Sequence, residues 1–181
     1  MQSCFIYGTG GHARVLYELA TLNRIQVAGF CDDHVGEEVR FLDLPVRKYM
    51  PDCFPGSAVL IGVGSNHSRR AIASTITHAA YDLKHPGAVC AANVMTGAGS
   101  VILSGAVVQT AVRIGNHCII NAGCVVDHDA IIKDFVHIGP RAYIGGGAII
   151  GEGAVIGPGA VIMRQVKVPD WTEVPPNAVI F

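Results

Sequence analysis

The residues best equipped for chemistry lie in the stretch VVDHDAIIKDFVHIGP, Val125 to Pro140, where His128 stands between Asp127 and Asp129 and His137 follows nine positions later. A histidine flanked by carboxylates has the makings of a general base, because an acidic neighbour fixes its tautomer and raises its basicity. His128 falls just past a corner of the repeat described below and not at an inward-facing position, so a substrate can reach it. A metal site would need two or three imidazoles converging on one ion. Nine residues are half of an 18-residue coil, which puts His128 and His137 on roughly opposite sides of one prism. They do not share an ion within a chain, but they can meet across a subunit interface. His34, His78 and His117 are read as structural histidines.

Gly146 stands 18 residues after His128, inside the run Gly145-Gly146-Gly147. With no side chain there, a substrate carbonyl can approach the backbone amide, as stabilisation of a developing oxyanion requires. Asn121, at a corner seven residues before His128, is either a further polar contact or a corner asparagine in left-handed geometry.

A second set of candidates lies near the start. Gly8, Gly10 and Ala13 fit the spacing G-x-G-x-x-A between an apolar strand, CFIY, and a helical pattern from Ala13 to Leu22. Amides of Gly10 and Gly11 at the helix start could hold a diphosphate, and Asp32 or Asp33, ending the next strand, could accept bonds from a base or ribose. Gly64, Asn66 and His67 end a third strand on the same edge of the sheet, where ligands of such sheets collect. The fingerprint alone would suggest NAD. Only about three strands precede the repeat, however, and one mononucleotide half suits one nucleotide.

The elements that position these residues are of two kinds. From about Ala88 the chain repeats every six residues: Ile102, Val108, Ile114, Ile120, Val126, Ile132, Ile138, Ile144, Ile150, Ile156 and Ile162 are β-branched, and the residue two before each is small or slim. Each unit is a short strand plus a corner, with an easily turning residue after the aliphatic one, as at Gly115, Asn121, Asp127 and Gly139. Three units make a triangular coil, so residues 18 apart stack at the strand spacing of about 4.8 Å. The spacing predicts a parallel β-helix over residues 85–181, whose repeat stops near Met163 and whose last residues, with Trp171 and the prolines, form a cap. Residues 1–84 alternate strand and helix and predict a small parallel sheet of Rossmann-like, nucleotide-binding type. His85-Pro86 marks the junction.

Composition narrows the partners. The net charge is −1 and the four lysines are scattered, which argues against nucleic acid and anionic membrane surfaces. Six cysteines occur without a CxxC pair, which points to buried thiols in a reducing compartment. The first residues show no signal-like pattern and no apolar run reaches membrane-spanning length, so the expectation is a cytoplasmic protein without membrane insertion.

Together these motifs resemble the NeuD/PglD-type bacterial hexapeptide acyltransferases, which acetylate nucleotide-linked amino sugars or sialic acid hydroxyls. The resemblance runs over nearly the whole chain, through YGTGGHARV, FCDD, IGVGSNHSRRAI, HPGA and, most specifically, INAGCVVDHDAIIKDFVHIGP. It implies a left-handed β-helix and a homotrimer with sites between subunits. His128 would be the general base and Asp129 would orient it, while His137 and Gly146 would contact acetyl-CoA. Gly10, Gly11, His12, Asp32, Asp33, Gly64 and His67 would line the sugar-nucleotide site. The expected reaction is N-acetylation of a UDP-linked 4-amino-4,6-dideoxy sugar by acetyl-CoA, with no metal. Alternatives are O-acetylation of a sialic acid, a zinc hydrase on the same scaffold, and a non-catalytic assembly scaffold.

Overall fold

A computed structural model describes residues 2–35 and 39–181. The chain divides into two compact units, Met1–Leu83 and Lys84–Phe181.

The first unit is an α/β layer structure. Strand β1 (Ser3–Tyr7) runs into helix α1 (Gly11–Leu22), and β2 (Gln26–Cys31), β3 (Arg40–Phe41), β4 (Leu44–Arg47), β5 (Ala58–Ile61) and helix α2 (Asn66–Thr75) follow. The sheet order is β3-β4-β2-β1-β5, parallel except for the β3–β4 hairpin. From β1 the chain steps to β2 on one side and later to β5 on the other. The carboxyl end of β1 is therefore a topological switch point, where ligands of open α/β sheets settle. Gly62 makes close helix–sheet packing possible: a Cβ there would stand 2.8 Å from the Ala13 Cα and 2.9 Å from the Ile6 Cγ2.

The expected three strands are thus five. The added hairpin turns through Leu42 and Asp43, both at positive φ, and Leu-Asp carries none of the Asn-Gly or Asp-Gly signal that such turns normally display.

The second unit is a left-handed parallel β-helix with three faces. Its two-residue strands form sheets of six, five and six strands, and partners are 18 residues apart throughout, as in Val126↔Ile144, Ile132↔Ile150 and Ile138↔Ile156. The aliphatic ladder and the small residues two before it fill the axis: Ile120, Val126, Ile138, Ile144, Cys124, Ala130 and Ala148 are all fully buried. Slim side chains at the corners allow the branched ones to meet at the centre.

Two expectations are corrected here. The left-handed corner residue is not the one after the aliphatic residue but stands two further on, at Gly123, Asp129, Arg141, Gly147 and Gln165. Asn121 is accordingly not in left-handed geometry. Glycine is favoured after the aliphatic residue for a different reason, close approach between coils: a Cβ on Gly145 would lie 2.5 Å from the Arg164 nitrogen, and one on Gly139 the same distance from the Ile156 oxygen. Nor does the repeat stop at Met163. Strands Lys167–Val168, Glu173–Val174 and Val179–Ile180 pair in the same 18-residue register, so the segment read as a cap is one more coil, with the Trp171 ring over Gly153.

Candidate active site

The corner that follows strand Val125–Val126 carries the densest arrangement of functional groups. Asp127 accepts the His128 N–H through Oδ1 at 2.8 Å, and its Oδ2 accepts the Tyr143 hydroxyl at 2.9 Å from the next coil. Asp129 adopts φ +59, a conformation asparagine and aspartate tolerate better than most residues. That bend returns its carboxylate to the His128 Nδ1, 2.8 Å away. The His128 Nδ1–H donates to this carboxylate, which leaves Nε2 as the proton acceptor of the neutral ring.

Main-chain bonds stack the next coil on this corner. Gly147 N–H donates to the His128 carbonyl at 2.9 Å, and Gln165 N–H donates to the Gly146 carbonyl at 3.0 Å. Gly146 lies directly beside the base, since a Cβ there would stand 2.9 Å from both His128 Cε1 and Nε2. Its own N–H has no acceptor among the described residues. At the same corner position the N–H of Asn116, Ala122, His128 and Glu152 is taken by an Asp or Asn side chain, and Pro140, Pro158 and Pro176 have no N–H. Gly146 thus offers an open donor within reach of an open acceptor.

These groups line a cavity of about 390 Å³ together with Tyr143 and Arg164. Electrostatics suit a base: the hydrogen bond His128 donates to Asp129 and the charge of Asp127 raise the His128 pKa, with Arg164 opposing them. The His128 amide and the Tyr143 hydroxyl in turn hold the Asp127 pKa low.

Asn121 and His137 are not part of this corner. His137 lies on a different sheet from the strand that leads into His128. Asn121, expected near His128, bonds instead to His137, with Nδ2 and Nε2 3.0 Å apart. Within one protomer the proposed site residues therefore form two groups on different faces of the prism: His128, Asp129 and Gly146, and Asn121 with His137. Among the described residues no group of three His, Cys, Asp or Glu side chains is arranged to hold a metal.

In the first unit the remaining candidates gather at the carboxyl edge of the sheet. Gly8 is held at φ +104 and its N–H donates to the Cys31 carbonyl at 2.6 Å, tying the loop to the end of β2. Gly10 is the N-cap of α1, with no side-chain cap and no acidic residue in the first turn. The first turn of α1, opening at Gly11, thus carries no acidic side chain to compete with an anion. Among the described residues, none beyond the adjoining backbone comes within 4 Å of where a Cβ would stand on Gly10, Gly11 or Gly64.

Asp32 accepts the Thr9 hydroxyl at 2.6 Å and the His34 N–H at 3.0 Å, while Asp33 accepts the Tyr7 hydroxyl. Asn66 is buried, and its Oδ1 accepts from the Arg69 Nη2 at 2.7 Å; Arg69 Nη1 donates to the Val63 and Gly64 carbonyls. The Asn66 side chain thus braces the loop that presents Gly64, next to the exposed His67. Thr9, Tyr7 and Arg69, with Tyr143 in the solenoid, escaped the sequence reading. Thr9 lay within the glycine loop and could have been found there; a fully buried arginine gives no such signal.

Comparison with known proteins agrees with this architecture. Residues 3–76 match the family model for the PglD N-terminal domain, and residues 129–164 match the bacterial transferase hexapeptide model of six repeats. A histidine-to-asparagine mutant of perosamine N-acetyltransferase from Caulobacter crescentus, solved with CoA and GDP-perosamine, is 27% identical with a TM-score of 0.90, covering 100% of this chain and 89% of that one. The acetyltransferase domain of PglB from Neisseria gonorrhoeae is 29% identical with a TM-score of 0.88, covering 100% and 92%. The same domain in complex with acetyl coenzyme A aligns at 25% identity and a TM-score of 0.70, covering 98% and 97%. No curated protein sequence matches significantly.

Proposed function

We propose that this chain, similar to the PglD N-terminal and hexapeptide-transferase models and to amino-sugar acetyltransferases, is a NeuD/PglD-type bacterial sugar acyltransferase that transfers an acetyl group from acetyl-CoA to the 4-amino group of a nucleotide-linked 4-amino-4,6-dideoxy sugar. The observation that carries this reading is the stacking of His128 on Gly146, with a proton acceptor and an open amide donor side by side in one cavity.

The amine nitrogen attacks the thioester carbonyl carbon while His128 Nε2 takes its proton. Asp129 holds the ring and stabilises the imidazolium that forms. The tetrahedral oxyanion is met by the Gly146 N–H. The C–S bond then breaks, the carbonyl is restored, and the CoA thiolate leaves and takes up a proton. No acyl-enzyme is required.

The start of α1, without a side-chain cap, suits the diphosphate of the acceptor, and Asp32 and Asp33, just past the end of β2, would take its nucleoside. His12, Gly64 and His67 complete that bed, and Asn66 shapes it. The nucleotide we propose is UDP, on the sequence resemblance; the Caulobacter relative, bound to GDP-perosamine, makes the GDP-linked sugar the essential comparison.

The active form we propose is a homotrimer in which His128 of one subunit faces His137 of the next. Exposed apolar residues on the solenoid's outer faces support it, with Val89 65%, Ile131 37% and Val179 48% accessible in the single chain. A cytoplasmic setting fits six free thiols, two of which, Cys31 and Cys53, lie with sulfurs 3.5 Å apart. Among the described residues no helix is long and apolar enough to cross a membrane.

Thiol release from acetyl-CoA with UDP-linked and GDP-linked 4-amino-4,6-dideoxy sugars, and with N-acetylneuraminic acid, tests the substrate. Release with a nucleotide sugar supports the reading and names the nucleotide. Release with sialic acid alone replaces N- by O-acetylation, and silence with all three removes the enzymatic account.

A further inference from the structure

His137 opens the strand His137–Ile138, its ring outward and Ile138 buried on the axis. Its register partners on the coils below and above are Ile119 and Val155, both aliphatic. One polar group it meets is Asn121, whose Nδ2 lies 3.0 Å from His137 Nε2.

Which atom of the carboxamide faces the ring is decided by the main chain. Asn121 Oδ1 accepts the Ala122 N–H at 2.8 Å, and rotating the amide by half a turn would set an N–H₂ against that N–H. The NH₂ end therefore points at the imidazole. An NH₂ group has only hydrogens to offer, so Nε2 must present its lone pair, and the ring proton must sit on Nδ1. An imidazolium in this place would oppose two donors.

The geometry points to Asn121 as a positioning residue that holds His137 in the Nδ1–H tautomer, making its ring a hydrogen-bond donor for an acyl carbonyl. Free histidine favours the other tautomer, so the carboxamide inverts the usual preference. The contrast with His128 is chemical: the same corner position holds Asp127 before the base and Asn121 beside the donor. Flanking carboxylates suit the ring that accepts a proton, and a neutral amide suits the ring that donates a bond. The role toward an acyl carbonyl rests on the acetyl-transfer reading, whereas the tautomer does not.

Nitrogen NMR of intact protein labelled with ¹⁵N in its histidine rings reads the tautomer directly, without acetyl-CoA or acceptor. A His137→Gln variant identifies the His137 signals among the eight histidines. Above the pH at which the ring titrates, the wild type should show Nδ1 protonated and Nε2 bare. Asn121→Asp keeps an acceptor for the Ala122 N–H but faces the ring with an oxygen, and should move the proton to Nε2; Asn121→Ala should return the ring to the form free histidine prefers. An Nε2–H ring in the wild type, or one tautomer in all three proteins, overturns the inference. Asn121→Asp should also lower kcat about 10²-fold, as loss of one oxyanion donor does, with KM for the nucleotide sugar unchanged. Absent thiol release in the wild type would overturn the acetyl-transfer reading while the spectrum still judged the tautomer.

Discussion

At the scale of single residues, two carboxylates and one glycine define what His128 can do. Asp129 raises its pKa chiefly through their hydrogen bond. A base must be neutral to act, so activity is lost as the pH falls through that raised pKa. Asp129→Asn, which keeps a residue tolerant of φ +59, should move the acidic limb of the kcat/KM profile to lower pH while reducing the plateau; an unmoved limb would deny Asp129 its role. Gly146→Ala would put a methyl 2.9 Å from the imidazole. The ring is exposed and can swing away, so the fold should survive while turnover falls roughly 10²-fold, the cost of displacing a reacting group by about 1 Å. Circular dichroism alongside turnover checks both halves of that statement. His128, Asp129 and Gly146 were legible because two spacings, one and 18 residues, carry all their contacts. The partner of Asn121 was not, because its bond to His137 spans 16 residues between neighbouring coils and depends on how far each side chain reaches past its register position.

At the scale of elements, the solenoid was legible because its core is one-dimensional: each coil packs only on its neighbours, and the hexapeptide period states the contacts directly. Truncating one rung tests that order. Ile138 is fully buried and pairs with Ile120 and Ile156, so Ile138→Ala should destabilise the protein by about 2–5 kcal/mol in denaturant unfolding; a loss below about 1 kcal/mol would mean the coils relax around the cavity. The last coil was misread because Pro169, Trp171 and the pair Pro175-Pro176 interrupt the usual composition, yet Val168 and Val174 keep the buried ladder positions. The β3–β4 hairpin escaped for a local reason, a turn built on Leu42 and Asp43 with both at positive φ.

At the scale of the whole molecule, the two groups of proposed site residues lie on different faces of one prism, and the proposed function has a neighbouring subunit bring them together. Mixing inactive His128→Ala chains with inactive His137→Ala chains, followed by subunit exchange, should restore part of the activity, because one interface of the mixed assembly carries both native histidines. Sedimentation should give three times the chain mass. Monomers that retain full turnover, or mixtures that stay silent, would place the site within one chain.

The central claim is that His128 removes the proton from the acceptor amine. Its most direct test is the rate of thiol release from acetyl-CoA, with the nucleotide sugar that the wild type accepts, in wild type and His128→Ala at matched folding and assembly. The account predicts a fall in kcat of about 10²–10⁴-fold, the usual contribution of a general base. Wild-type turnover in His128→Ala would contradict it and move the chemistry to another face of the solenoid.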